Sequence, residues 1–291
     1  MSDEEYHAHP ALGSTSIKTM ATGTPRGYWA RHVDPNRKPF EPTDAMRQGS
    51  LVDCLITCPD EFESKYALPP LDAPKRPTST QLNAKKPSEA TIEAIQFWHD
   101  FDSSTVGREV LNPDWLETAL RIVEVLQADA TIGPILAMER TSQQPYFWID
   151  QDHGIECKYK PDLEPVDGSL LDLKKAASAD PRWFNKQAYS LGYDIQISHY
   201  RKGFISLHGK PPTRTGFIAY EWKWPHDCAL IIANDEYIAM GDERRRKAIE
   251  RIMECRRLGQ WPSHGESLIT ARNPSAAAAD DIDLTTDIEM F

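Results

Sequence analysis

The sequence predicts an α/β fold in which a few strands lie among helices, and three observations carry that prediction. Residues 155–175, IECKYKPDLEPVDGSLLDLKK, alternate polar and apolar side chains with the period of strands on either side of a turn. Helical candidates follow one another from Ser14 to Glu139 ahead of this stretch. After it come a long helical candidate, two further strand-like runs and a last helix ending near Leu258. Strands with helices before and after them in the chain give a layered α/β core.

In chain order, residues 1 to about 12 read as a loose terminus, and Ser14–Met20 as a short helix. Thr24-Pro25 starts the next one, with Thr24 as N-cap and proline at the first helical position. That helix carries Arg26, Tyr28, Trp29, Arg31 and His32; its aromatics more often dock a helix on a core than grip a nucleic-acid strand. Asp44–Cys58 reads as a helix with Met46, Leu51, Cys54 and Leu55 as its apolar stripe and Asp53 on the flank. Residues 67–90 are rich in Pro, Lys, Ser and Thr, and gather Lys75, Arg76, Lys85 and Lys86 in a connector or a loop that orders on DNA. Glu89–Phe101, Asn112–Gln127 and Ala130–Glu139 are helical candidates, and Gln144–Asp150 is a strand entering the central stretch. Asp180-Pro181 caps a helix predicted to run to about Leu207, with Tyr189, Tyr193, Gln196 and Tyr200 on one face. Thr213–Trp222 and Cys228–Ala233 read as strands. Asn234–Leu258 reads as a helix whose Arg244, Arg245, Arg246, Lys247 and Arg251 form a candidate phosphate track. The expected organisation is a flexible 1–12, one domain over 13–265 (helical to 140, sheet core from 141), and a disordered acidic tail over 266–291.

Composition narrows the class. Apolar residues at 40% and charged residues at 26% are ordinary for a soluble globular protein. No apolar run approaches the ~20 residues that span a bilayer, and the acidic, polar start MSDEEYHAHP does not read as a secretory signal, so the expected location is cytoplasmic. Five cysteines, an odd and scattered set, fit free thiols in a reducing compartment and make no zinc pattern. A formal net charge of −11 weighs against indiscriminate binding of nucleic acid, but leaves room for a local basic lining.

The central stretch holds the chemistry. Glu156, Lys158, Lys160 and Asp162 share one face of the first strand, and Asp172 and Lys174 one face of the second. Val166-Asp167-Gly168 suits a three-residue hairpin loop with Gly168 in the left-handed conformation. Pairing Pro165 with Ser169 then sets Asp162 opposite Asp172, with Lys174 one pleat further on. Two carboxylates at short range repel unless a cation lies between them, and hard oxygen ligands favour Mg²⁺ or Mn²⁺. A solvated antiparallel hairpin that alternates for no chemical reason is the competing reading.

Pro161-Asp162 followed by Asp172-Leu173-Lys174 resembles the PD-(D/E)XK signature of restriction-endonuclease-like nucleases, and Gln196-Ile-Ser-His-Tyr200 resembles the QxxxY element of their RecB-type branch. MRQGSLVDCLITCPDEFESKY, STSIKTMATGTPRGYWARH and Leu258-Gly-Gln-Trp-Pro262 are similar to segments of the exonuclease VIII (RecE-like) family, so the likeness spans roughly residues 10–265. The resemblance implies a restriction-endonuclease-like core with a mixed central sheet. It implies Mg²⁺, with Mn²⁺ able to substitute, held by Asp162, Asp172 and the backbone carbonyl of Leu173. Lys174 would orient the attacking water, Gln196 and Tyr200 would support the site, and Asp53, where many relatives have histidine, would be a further ligand. The implied activity is 5′ to 3′ exonucleolytic hydrolysis of linear double-stranded DNA ends by a ring-forming homo-oligomer of phage or prophage origin. The overhang would pass to a RecT-like single-strand annealing protein. The alternatives are a catalytically impaired nuclease-fold DNA-binding or scaffold protein, and a RecB-like nuclease acting on single-stranded or flap DNA.

Overall fold

Period-two alternation and helical capping both translate into structure, in a computed structural model that describes residue 1 and residues 3–265. The expected acidic tail over 266–291 lies outside the described residues. Among these, no helix is long and apolar enough to cross a membrane. Where the sequence reading has one domain, the chain divides into two compact units, Met1–Glu41 with the chain from Asp129 onward, and Pro42–Ala128.

The chain opens with α1 (Asp3–Ala8), α2 (Ser14–Thr22) and α3 (Pro25–His32). Thr24 caps α3 as expected, its side chain accepting from the Gly27 amide. Tyr28 is buried and stacks on Trp261 at 5.4 Å between ring centroids, so it docks α3 on the core. The second unit follows with α4 (Asp44–Thr57), α5 (Phe62–Lys65), β1 (Tyr66–Ala67), α6 (Ser79–Leu82), α7 (Glu89–Ser104), β2 (Glu109–Val110) and α8 (Pro113–Ala128). Leu51, Val52 and Ile56 of α4 and Ala119, Ile122 and Leu126 of α8 are buried, and the two helices pack together, giving this unit its own core. Met46, expected in the α4 stripe, is exposed instead. Arg76 of the basic connector is held by a bidentate pair with Asp102 at 2.8 Å and lies over the Trp98 ring.

The first unit resumes with α9 (Ile132–Leu136), β3 (Arg140–Thr141), β4 (Tyr146–Asp150), β5 (Ile155–Tyr159), β6 (Glu164–Pro165) and β7 (Leu170–Ala176). Then come α10 (Pro181–Ser190), α11 (Tyr193–His208), β8 (Thr215–Glu221), β9 (Cys228–Ile232) and α12 (Asp235–Leu258). The order β7–β8–β9 forms a three-stranded sheet, parallel between β7 and β8 and antiparallel between β8 and β9, so the sheet is mixed. β4 and β5 make an antiparallel pair, and β6 pairs with β3. One buried cluster joins Ile17, Met20, Tyr159, Ile195, Phe204 and Ile249, from α2, β5, α11 and α12. A second joins Phe184 and Ala188 of α10 to Ile197 of α11 and Phe217 of β8.

The central stretch keeps its register but not its continuity. Leu163 and Leu171 form an antiparallel bridge with both hydrogen bonds made, 3.0 and 2.9 Å, the same register that sets Asp162 opposite Asp172. Gly168 has φ +81°, the positive value its place in the turn requires. Yet β5 stops at Tyr159, and Pro165 pairs with Arg140 rather than with Ser169. Pro161 offers no N–H to continue a ladder, and the second edge of β5 is already taken. Leu12 bridges Cys157 there, with the Leu12 amide donating to Glu156 and the Lys158 amide to Leu12. The segment expected to be a loose terminus is therefore folded: Tyr6 and Leu12 are buried, and the Lys158 ammonium donates to the carbonyls of Tyr6 and His9. Lys158 belongs to the interior, not to a solvated polar face.

Two further expectations are corrected. The helix predicted over 181–207 is two helices, because Gly192 adopts φ +68° between them; Tyr189 thus leaves the face that Tyr193, Gln196 and Tyr200 share. Much of the basic face of α12 is taken up by ion pairs within the protein. Arg244 pairs with Asp194, Arg245 with Asp150, Arg246 with Glu243 and Glu250, and Lys247 with Glu243.

Candidate active site

β7 lies between β8 on one edge and the Leu163 bridge on the other, so its residues are held from both sides. Its alternation points Leu171 and Leu173 one way and Asp172 and Lys174 the other. Asp172 is buried, beside Phe217 in the parallel register. Its Oδ1 accepts from Gln196 Nε2 at 2.9 Å, and its Oδ2 pairs with the Lys174 ammonium. Lys174 also lies over the Tyr193 ring, 5.0 Å from the centroid.

Asp162 reaches the same place from a bend. Its Oδ2 accepts the Leu173 amide at 2.8 Å and its Oδ1 accepts Gln143 Nε2 at 2.7 Å. The Asp162 carboxylate thus rests against the peptide that joins Asp172 to Leu173, taking the hydrogen bond a neighbouring strand would otherwise make. The structure brings together Asp162, Asp172, Leu173, Lys174 and Gln196. Tyr200, one turn beyond Gln196 on α11, donates from its hydroxyl to the Lys160 carbonyl at 3.1 Å, tying α11 to the segment that leads into Asp162. Burial, reinforced by the charge of Asp162, pushes its phenol far up, so Tyr200 stays a neutral donor. Asp53 lies in the second unit, on α4, where its carbonyl accepts from the Thr57 hydroxyl at 2.7 Å.

Two residues in this group are not singled out by the sequence reading. Gln143 precedes β4 and is one of two non-glycine residues with positive φ, +52°, among the described residues. Lys18 of α2 donates to Gln196 Oε1 at 3.1 Å and lies over Tyr193. Burial, and then the neighbouring Lys174 charge, pull the Lys18 ammonium down to about 7, with Asp194 opposing. Each aspartate is held through Oδ1 by a glutamine amide, which can only donate to a carboxylate from its nitrogen.

The donor set fits a hard divalent cation: two carboxylates, one of them hydrogen-bonded to the amide that follows the other's residue, and no sulfur. Among the described residues no three His, Cys, Asp or Glu side chains gather as a metal cage. Mg²⁺ typically takes one or two carboxylates and keeps several waters, so this pair meets its usual demand.

A mixed sheet whose strand β7 carries an Asp-Leu-Lys run, with an aspartate lodged on its backbone from the bend ahead of it, fits the restriction-endonuclease-like class. The chain belongs to the family described as "PDDEXK-like domain of unknown function (DUF3799)", whose profile matches residues 13–274. Among solved structures, an exonuclease candidate from Eubacterium rectale superposes with TM-score 0.62 at 16% identity, covering 97% of this chain and 99% of that one. An alkaline exonuclease from Laribacter hongkongensis aligns with TM-score 0.29 at 14% identity, over 62% of this chain and 88% of that one. No curated protein matches the sequence.

Proposed function

We propose that this protein is a divalent-metal-dependent DNA exonuclease. The observation that carries the reading is the Asp162 carboxylate seated on the Leu173 amide, next to the Asp172–Lys174 pair. Asp162, Asp172 and the Leu173 carbonyl are the proposed ligands of Mg²⁺, for which Mn²⁺ can substitute. A divalent ion at such a site supplies Lewis-acid stabilisation of the phosphoryl oxygens and lowers the pKa of bound water.

The chain's own residues do the rest. Lys174, held between Asp172 and the Tyr193 ring, is placed to orient the attacking water and to offset charge on the scissile phosphate. Gln196 keeps its N–H on Asp172 Oδ1, leaving Oδ2 to exchange its lysine partner. Tyr200 fixes the approach to Asp162 through Lys160. The family resemblance further assigns a ligand's role to Asp53, linear duplex ends as substrate, 5′ to 3′ polarity, a ring-shaped homo-oligomer, transfer of the overhang to a RecT-like annealing protein, and a phage origin. The E. rectale exonuclease candidate, alike in fold, is consistent with this reading.

The experiment is degradation of end-labelled linear duplex with and without Mg²⁺. Asp172→Ala and Lys174→Ala are expected to lose about 10²–10³-fold or more in rate with the fold retained by circular dichroism. Undiminished digestion by both variants would refute the proposal, and first loss of a 3′ label would overturn the polarity.

A further inference from the structure

Gln143 has a backbone conformation that side chains other than Gly, Asn and Asp seldom adopt. The φ of +52° sits in the turn ahead of β4, where the next residue but one is Pro145. Asparagine or glycine would satisfy such a turn with less strain, so the turn alone does not explain a glutamine. What the conformation achieves is a double grip on the Pro161-Asp162 pair. The Gln143 amide N–H donates to the Pro161 carbonyl at 3.0 Å, and its side-chain N–H donates to Asp162 Oδ1 at 2.7 Å. Asp162 lies in a bend rather than in a paired strand. Its orientation therefore depends on two donors, the Leu173 amide on Oδ2 and Gln143 on Oδ1.

We infer that Gln143 is a positioning residue of the candidate active site: held in a strained left-handed conformation, it orients the Asp162 carboxylate for a divalent cation. This rests on the metal-site reading above and adds to it a residue that the PD-(D/E)XK signature does not contain. Strain retained at a non-glycine residue whose side chain touches a reactive group marks function when relieving it costs activity. Partners that orient a metal-binding carboxylate typically change metal affinity 10–100-fold when removed.

The test separates positioning from a purely structural role by reading metal affinity and stability together. Mn²⁺ binding is measured by electron paramagnetic resonance on wild type, Asp172→Ala, Gln143→Gly and Gln143→Met, alongside thermal unfolding without metal. Gly relieves the backbone strain and removes the donor; Met keeps the strain and the length but cannot donate. Both Gln143 variants are expected to bind Mn²⁺ about 10-fold or more weakly, while the melting temperature of Gln143→Gly stays equal to or above that of wild type. Wild-type Mn²⁺ affinity in both variants would overturn the inference while leaving the metal site intact. A melting temperature of Gln143→Gly well below wild type, with normal Mn²⁺ binding by Gln143→Met, would overturn it in favour of a turn role. Absence of Mn²⁺ binding in wild type itself would overturn the metal-site reading, a result distinguishable from the other two.

Discussion

Lys18 shows how much a single residue's surroundings decide. On a free helix it would be a solvated cation. Packed behind Gln196 and near Lys174, its ammonium is pulled down to about 7, far below the ordinary lysine value of about 10.4. The unfolded chain then binds a proton between pH 7 and 10 that the folded chain does not, so this residue lowers stability as pH falls through that window. Lys18→Met abolishes the difference. Thermal unfolding is expected to show wild type gaining on the variant as pH rises from 7 to 10, by up to about 1.4 kcal/mol per pH unit. Parallel curves would show that the lysine keeps its ordinary pKa. Gln143 touches Asp162 directly and Lys18 reaches Asp172 only through Gln196, and neither is part of the PD-(D/E)XK or QxxxY signatures.

Elements set the pairing that residues alone leave open. The alternation of 155–175 fits one long hairpin, and the bridge between Leu163 and Leu171 preserves that register. What interrupts the hairpin is competition for the free edge of β5, which the chain ahead of α2 occupies through Leu12. That docking also supplies the carbonyls of Tyr6 and His9 to the buried Lys158 ammonium, whose pKa burial pushes down. Deleting residues 1–12 is expected to leave a buried lysine without those acceptors and a strand edge exposed. Stability is expected to fall, each lost hydrogen bond to the charged ammonium being worth about 1.5–3 kcal/mol, with a tendency to associate through the bare edge. Chemical denaturation and light scattering of the truncated chain check both; an unchanged midpoint with a monodisperse sample would show the segment to be dispensable.

At the scale of the whole first unit, a buried charged cluster ties three elements together. Arg245 of α12 is 1% exposed, pairs with Asp150 at the end of β4 and donates to His199 Nδ1 on α11 at 3.2 Å. An arginine cannot accept, so His199 accepts there and carries its proton on Nε2, facing the Lys158 carbonyl at 3.0 Å. Burial, and then the Arg245 charge, hold His199 down to about 3. Burial works to raise the Asp150 carboxyl, but hydrogen bonds from Arg245 and His153 more than offset that and leave it at about 2. Both groups fold with depressed pKa values, so both stabilise at neutral pH and both lose that contribution on acidification. His199 loses it from about pH 6.5 downward and Asp150 from about 3.9. His199→Gln keeps an acceptor for Arg245 and a donor for Lys158 without titrating. It is expected to flatten the fall of melting temperature between pH 6.5 and 4, a region where the neutral histidine of wild type costs up to about 1.4 kcal/mol per pH unit. An equally steep fall in the variant would assign the acid sensitivity elsewhere.

Much of the fold and part of the site were legible in the sequence because they rest on short-range rules. Strand period, caps such as Thr24 and Asp180, the positive-φ turn at Gly168 and the neighbourhood of Asp162, Asp172 and Lys174 depend on residues close together in the chain. The break at Gly192 escaped because helical periodicity alone does not reveal where a glycine will turn left-handed. The basic run 244–247 reads as a surface for phosphate until the fold brings Asp150 and Asp194 to it. By itself, then, the sequence determined the register that sets Asp162 opposite Asp172. Only the tertiary structure decided which distant groups would hold them, from Lys18 across 178 positions to Gln196 to the strand edge claimed by Leu12. The physical reason is that local spacing constrains geometry within a few residues, whereas partners for buried polar groups are chosen by packing among all the segments that compete for the same space.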